Sequence, residues 1–206
     1  MDNKEKIQWK AYELFKRFGV RSVTMDEIAQ QCGVSKKTVY QFYEDKDTLV
    51  EHIVQTLTNR SEEYCSQQQV EAENAIEEIF LSIDMVEDMI EGVNPALLND
   101  LRKYHSAAYS KLDKHKNEFM AEFFRKNIER GVEEGLYRNN FKTDIITSFY
   151  LHSSMVAMEQ DIFPKKYSII DINYEISMFI LHGLATSKGA KLVEKYKQQR
   201  LKLNTL

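Results

Sequence analysis

Disulfide chemistry, strand-rich architecture and membrane crossing are each argued against by what this chain of 206 residues has little of. It contains two cysteines, Cys32 and Cys65, too few for a disulfide framework. Two prolines and seven glycines are too little turn punctuation for a protein of many short strands. No apolar run approaches the roughly 20 residues that cross a bilayer. The opening residues lead into an amphipathic pattern and not an apolar signal core. These features give the expectation of an all-α protein of the reducing cytoplasm, with no membrane association. With 43% hydrophobic and 29% charged residues the chain is too apolar for disorder.

Charge is uneven. The net charge is -4, yet residues 1–60 hold 10 basic and 9 acidic side chains, and from Lys4 to Arg21 six basic residues face only Glu5 and Glu13. A mildly basic front on an acidic body suggests that an anionic partner would meet the first sixty residues.

Ile7, Ala11, Leu14, Phe15 and Phe18 form one stripe at helical period, stopped by Gly19. Thr24-Met25-Asp26-Glu27 is a T-x-x-E capping box opening a second helix, whose inner side is Met25, Ile28, Ala29 and Cys32. Gly33 turns the chain, Ser35 opens a short third helix, and a fourth follows Asp45. An acidic, glutamine-bearing joint is expected at 62–73. The next stripe runs from Ala75 to Ile90, and Asn94-Pro95 starts another helix. A long helix runs from about Ser106 to the Gly131–Gly135 region, and one from Thr143 to Asp161 carries Glu159 on its striped face. A last major helix spans Ser168 to Ser187, and a basic tail from Lys188 forms at most a short frayed helix.

The informative stretch is 24–46. Ala29 permits a close crossing four residues before Gly33, and Ile28, Cys32, Val34, Val39 and Phe42 supply a shared core, the sequence form of a helix-turn-helix. At about 100° per residue, Lys36, Tyr40, Lys37 and Gln41 share one arc and Thr38, Val39 and Phe42 the other. The outward arc holds donors for phosphates and base edges; the alternative reading is an ordinary solvated face.

This stretch, Thr24-Met-Asp-Glu-Ile-Ala-Gln-Gln-Cys-Gly-Val-Ser-Lys-Lys-Thr-Val-Tyr-Gln-Phe-Tyr-Glu-Asp-Lys46, resembles the signature of the tetracycline-repressor (TetR) family of bacterial transcription regulators. The likeness implies an N-terminal three-helix DNA-binding domain, residues 1–46, and a larger helical domain, 47–206, for effector binding and homodimerisation. Carried over by position, it implies DNA contacts from Thr24, Ser35, Lys36, Lys37, Thr38, Tyr40 and Lys46, with Lys46 and Tyr40 on phosphate; Gln41 joins them from the outward arc. Cys32, Lys37 and the order Phe42-Tyr43 depart from the family pattern. A weaker echo at Glu129–Arg138 resembles the end of the family's seventh helix. It implies that the two helices after it form the dimer interface, through Ile145, Phe149, His152, Val156, Ile176, Phe179, Ile180 and Gly183.

Phe80, Met85, Met89, Tyr104, Tyr109, Phe119, Phe123, Phe149 and Met155 are candidates for an effector pocket, with Phe124, Tyr150 and Met158 of the same character. As a set they favour an apolar or amphipathic small molecule, though each is also ordinary helical core. Asp84, Glu87 and Glu91 offer an answer to a cationic one. The five histidines lack metal-ligand spacing, His152 and His182 read as hydrogen-bonded core residues, and no nucleophile or phosphate-loop motif occurs; no cofactor or catalytic residue is expected. The resulting expectation is a repressor released from a palindromic double-stranded operator by its effector. The alternatives are a regulator of this fold that answers a protein partner or activates, and a helical small-molecule-binding protein that does not touch DNA.

Overall fold

Side-chain caps decide where most of these helices begin. Asp2, Thr24 and Ser168 each close a reciprocal box with the acid three residues on, and Ser35 and Asn74 accept backbone N–H groups of the turn that follows. The computed structural model describes residues 2–157 and 162–203, with the side chains of 202 and 203 outside that description. Within it the chain forms α1 (Asn3–Phe18), α2 (Met25–Cys32), α3 (Lys36–Phe42), α4 (Lys46–Glu71), α5 (Ala75–Ile90), α6 (Ala96–Tyr104), α7 (Ser106–His115), a π turn (Lys116–Met120), α8 (Ala121–Glu133), α9 (Thr143–Val156), α10 (Ile169–Leu184) and α11 (Ser187–Leu203). The described residues contain no strand, only an isolated bridge between Tyr137 and Ala185. The all-α expectation holds.

Two differences from the sequence reading stand out. The expected joint at 62–73 is helix: α4 continues to Glu71 and the break falls at 72–74. The basic tail is a 17-residue helix and not a frayed one. Val193 and Tyr196 bury one side of it in a core, and Arg200 pairs with Asp84 at 2.9 Å and with Glu87. Its stripe of Leu192, Val193, Tyr196 and Arg200 is helical in period but masked by surrounding lysines. Met158, Glu159 and Asp161 lie outside the described residues.

The chain separates into two compact units, one of 1–62 with 92–115 and one of 63–91 with 116–206. In the first, Ile7, Ala11 and Phe15 of α1 meet Ile28, Ala29 and Cys32 of α2, Val39 of α3 and Leu49, Val50 and Ile53 of α4 in one core, to which α6 and α7 add Leu101 and Ala108. Asn94 holds the end of α1, its backbone N–H donating to Lys16 O at 2.7 Å and its amide to Arg17 O at 3.3 Å.

In the second unit, Ile76, Ile79, Phe80 and Ile83 of α5 pack with Phe124 and Ile128 of α8, Met178, Leu181 and Leu184 of α10 and Val193 and Tyr196 of α11. Gly131 is required here, because a Cβ on it would lie 2.0 Å from the Tyr137 ring. A polar network is enclosed beside it. Arg130 donates to Glu78 at 3.0 Å, to Glu134 at 2.7 Å and to the Ala72 carbonyl at 2.8 Å, while Asn127 and Tyr137 both donate to the Ala75 carbonyl. Burial pushes the Glu78 carboxyl above its ordinary value, against the pull of Arg130, and one of its oxygens has no partner.

Candidate nucleic-acid interface

The turn between α2 and α3 is fixed by Gly33 in the left-handed region (φ 65°), whose N–H and that of Val34 close the end of α2 on Gln30 and Ala29 carbonyls. At the other end of α2, Thr24 Oγ1 accepts from Glu27 N at 3.2 Å and Glu27 accepts from Thr24 N at 2.7 Å. Donation to the carboxylate from Thr24 N, and then from the Thr24 hydroxyl at 2.9 Å, holds the Glu27 carboxyl below its ordinary value. Thr24 and Ser35 are both exposed N-caps.

Only Val39 of α3 is fully buried. The expectation that Phe42 would join the shared core is corrected: Phe42 is 39% exposed, and Tyr43 takes the inward place. The tyrosine ring meets His52 edge-on at 5.5 Å and its hydroxyl donates to Gln8 at 3.5 Å. Taking Val39 and Tyr43 as the inward direction, about 100° per residue puts Gln41 at the centre of the outward face. Lys37 and Thr38 then lie on either side of it, with Tyr40 and Phe42 at its two edges. Lys37 and Gln41 are exposed, Tyr40 is 43% exposed, and Thr38 is half-buried with its hydroxyl 2.8 Å from Ser35 Oγ.

Lys36 is exposed, with its ammonium 2.7 Å from Asp26 of α2 and 5.9 Å from the Tyr40 ring. The hydrogen bond to Asp26, then the charge of that carboxylate, raises its pKa. Lys46 donates to the carbonyls of Val20 and Val23 at 3.1 and 3.0 Å, so it closes the loop before α2 as well as standing at the start of α4. Of the eight residues singled out for DNA, all lie in the first unit. Six are exposed, Thr38 and Lys46 are half-buried, and seven belong to the α2–turn–α3 segment or its caps. Cys32 is buried with its sulfur 3.9 Å from the Lys6 carbonyl, and burial pushes its thiol pKa up, as suits a small core residue.

The residues singled out for an effector are not gathered in one place. Met85, Met89, Phe119 and Phe123 form one cluster with Cys65 in the second unit, while Phe80 belongs to that unit's main core. Phe124 and Tyr150 stack at 4.5 Å. Phe149 is exposed and Met155 half-buried. Tyr104 and Tyr109 sit in the first unit, where Tyr104 stacks under Arg21 at 5.2 Å and Tyr109 packs on the α1–α4 core. Asp84 and Glu87 answer an internal cation, Arg200, which also lies over the Tyr174 ring. A surface cleft of about 420 Å³ is lined by Val132, Tyr137, Arg138, Asn139, Asn140 and Thr186, which periodicity could not foresee because four of them lie in the α8–α9 loop.

On α9 and α10, Ile145 (66%), Phe149 (53%) and Phe179 (76%) are large apolar side chains left in the open, with His152 and Gly183 also exposed and Val156 and Ile176 partly so. Ile180 is different: it is buried in the second unit's own core. His152 and His182 are exposed and not core residues; His152 Nδ1 bonds the Ser148 carbonyl at 2.7 Å, and His182 lies 3.5 Å from Glu194. Among the described residues no group of His, Cys, Asp and Glu is arranged to hold a metal ion, and no helix is long and apolar enough to cross a membrane.

Residues 10–53 match the family model described as bacterial regulatory proteins, tetR family. An uncharacterized HTH-type transcriptional regulator of Bacillus subtilis, YvaF, is 33% identical over 110 residues, 53% of this chain and 57% of that protein. An HTH-type transcriptional regulator of Staphylococcus aureus strain USA300 is 29% identical over 119 residues, 54% of this chain and 63% of the relative. The chain thus spans about three fifths of the length of the curated relatives it matches. A TetR-family transcriptional regulator from Agrobacterium tumefaciens superposes with a TM-score of 0.74 at 15% identity, covering 89% of this chain and 98% of the other. FadR of Bacillus subtilis, solved in complex with stearoyl-CoA, does so with a TM-score of 0.67 at 14% identity over 87% and 98%. At such identities these two likenesses establish the fold.

Proposed function

We propose that this chain, a member of the tetR family of bacterial regulatory proteins, is a cytoplasmic DNA-binding transcriptional repressor that a small apolar or amphipathic effector releases from a palindromic operator. One observation carries the reading. The α3 helix spends a single side chain, Val39, on the core and leaves Lys37, Tyr40 and Gln41 facing out from a rigid, doubly capped scaffold. A helix so held fits a major groove about 12 Å wide.

Lys37 and Gln41, one turn apart on the outward face, read base edges. Lys36 and Tyr40 at one edge meet phosphate, for which Lys36 exchanges Asp26 for the backbone anion. Exposed hydroxyls and N–H groups at the Thr24 and Ser35 caps add phosphate contacts. Lys46 works in part through its grip on the Val20 and Val23 carbonyls.

DNA reading falls to residues 1–46 and effector binding with dimerisation to 47–206. This division of labour differs from the compact units, since 47–62 and 92–115 pack in the first of them. The apolar strip of exposed Ile145, Phe149 and Phe179 with half-buried Ile176 supports a homodimer, whose two α3 helices would enter half-sites roughly 34–36 Å apart. An effector acts by favouring a dimer with another spacing, so DNA and effector weaken each other's binding equally. The stearoyl-CoA held by FadR supports the amphipathic class of effector.

The test is a gel shift with the DNA flanking the chain's own gene. Lys36→Ala and Tyr40→Ala should both weaken binding across all sequences, and Lys36→Ala should also flatten its salt dependence, as loss of a cation on phosphate does. An unchanged shift in both variants contradicts the assignment.

A further inference from the structure

Resting on that reading, the two edges of the α3 face differ in chemistry, and the difference points to a contact with the DNA. Tyr40 and Phe42 flank the Lys37–Gln41 strip, each about 100° from Gln41 on the helix, and are 43% and 39% exposed. The Tyr40 edge is polar, with a phenol and the Lys36 ammonium 5.9 Å from its ring. The Phe42 edge has no donor to offer. Its helical neighbour one turn back is Thr38, whose hydroxyl is already engaged with Ser35 Oγ at 2.8 Å. What remains there is a phenyl ring beside a threonine methyl.

The core does not need that ring. Val39 and Tyr43 close it, both at 0% exposure, and the Tyr43 ring and hydroxyl have their own partners in His52 and Gln8. An apolar edge on a groove-entering helix cannot bind a phosphate. The one apolar group that a base pair presents in the major groove is the thymine C5-methyl.

We propose that Phe42, with the Thr38 methyl beside it, reads a thymine methyl in each operator half-site and so sets part of the sequence preference. Lys37 and Gln41 read hydrogen-bonding groups; Phe42 reads their absence.

The test begins with duplexes enriched by the wild-type protein from a random pool. Deoxyuridine is then put in place of each thymine of a half-site in turn, which removes only the methyl, and affinity is measured by fluorescence anisotropy. For wild type, one position per half-site should lose about fourfold, the worth of one buried methyl. In Phe42→Ala that loss should vanish, and in Phe42→Leu, which keeps an apolar group, most of it should persist. Because Phe42 lies outside the core, both variants should melt like wild type. If no thymine responds, or if Phe42→Ala responds as wild type does, the proposal is overturned while DNA reading stands. Weaker binding by Phe42→Ala with no uracil effect in wild type would place the ring against deoxyribose and also overturn it. Failure of the wild type to enrich any duplex would remove both readings together.

Discussion

The first and second units bury the same kinds of apolar side chain but differ in what their most prominent polar groups do. In the first, charged and amide groups stand outside on α3, Thr24 and Glu27 bond each other at the surface, and half-buried pairs such as Lys46 with Val20 and Val23, Arg21 N with Asp100, and His105 with Asp47 tie loops and helix ends together. In the second, Glu78, Asn127 and Tyr137 are inside, bonded to partners dozens of residues away. An outward polar face with lysines on a firm support suits a surface that meets a polyanion. An enclosed ionic network suits a unit whose polar groups are spent on its own architecture.

The sharpest way to break this contrast is to strip the outer face. Lys37→Ala with Gln41→Ala should cost about 1000-fold or more in DNA affinity, since base contacts are each worth about 1–3 kcal/mol and each occurs twice in a dimer. The thermal melt should be unchanged, because neither side chain is buried. A lowered melt would mean that α3 serves the core more than its surface.

Gly131→Ala attacks the second unit instead. The added methyl meets the Tyr137 ring, and overpacking of this kind costs about 2–3 kcal/mol, to be read from urea unfolding. A smaller loss is expected from Thr24→Ala, about 1 kcal/mol, the usual worth of an N-cap.

Smallest is a difference in pH dependence, and here the two units should have opposite signs. Glu27 is held below its ordinary value by Thr24, so its stabilising share is present at neutral pH and is lost as pH falls through its folded pKa. Glu78 is raised by burial, so its share is present in acid and is lost as pH rises through its folded pKa. Unfolding followed from about pH 3 to pH 8 should therefore show Glu27→Gln losing ground to wild type as pH rises from about 3 to 5, and Glu78→Gln gaining on it as pH rises further. Parallel behaviour of the two would erase the contrast.

The same contrast explains what could be read in the sequence. Thr24 and Glu27, Ala29 and Gly33, and Ser35 and Thr38 interact across three or four positions, so their spacing states their geometry. Even there the inward place belongs to Tyr43 and not to Phe42, because Tyr43 stands four residues after buried Val39 and Phe42 only three, at the edge of the face. In the second unit the decisive pairs are Glu78 with Arg130, 52 residues apart, and Asn74 with Tyr196, 122 apart. No periodicity carries such pairings. The α11 helix was read as short and frayed for that reason, its Tyr196 and Arg200 anchors having partners on α5, α10 and the turn before α5. Aromatic and thioether content likewise cannot tell Tyr104, stacked under Arg21, from Met89 in a sulfur-lined cluster.

Titrating the DNA that flanks the chain's gene into isotopically labelled protein, and following every backbone amide by NMR, asks most directly which surface meets the duplex. The account predicts that the largest shifts fall on Thr24 and on 35–42, and that they disappear in the Lys37→Ala, Gln41→Ala protein. Largest shifts on α5 or α8–α11, or none at all, would contradict it.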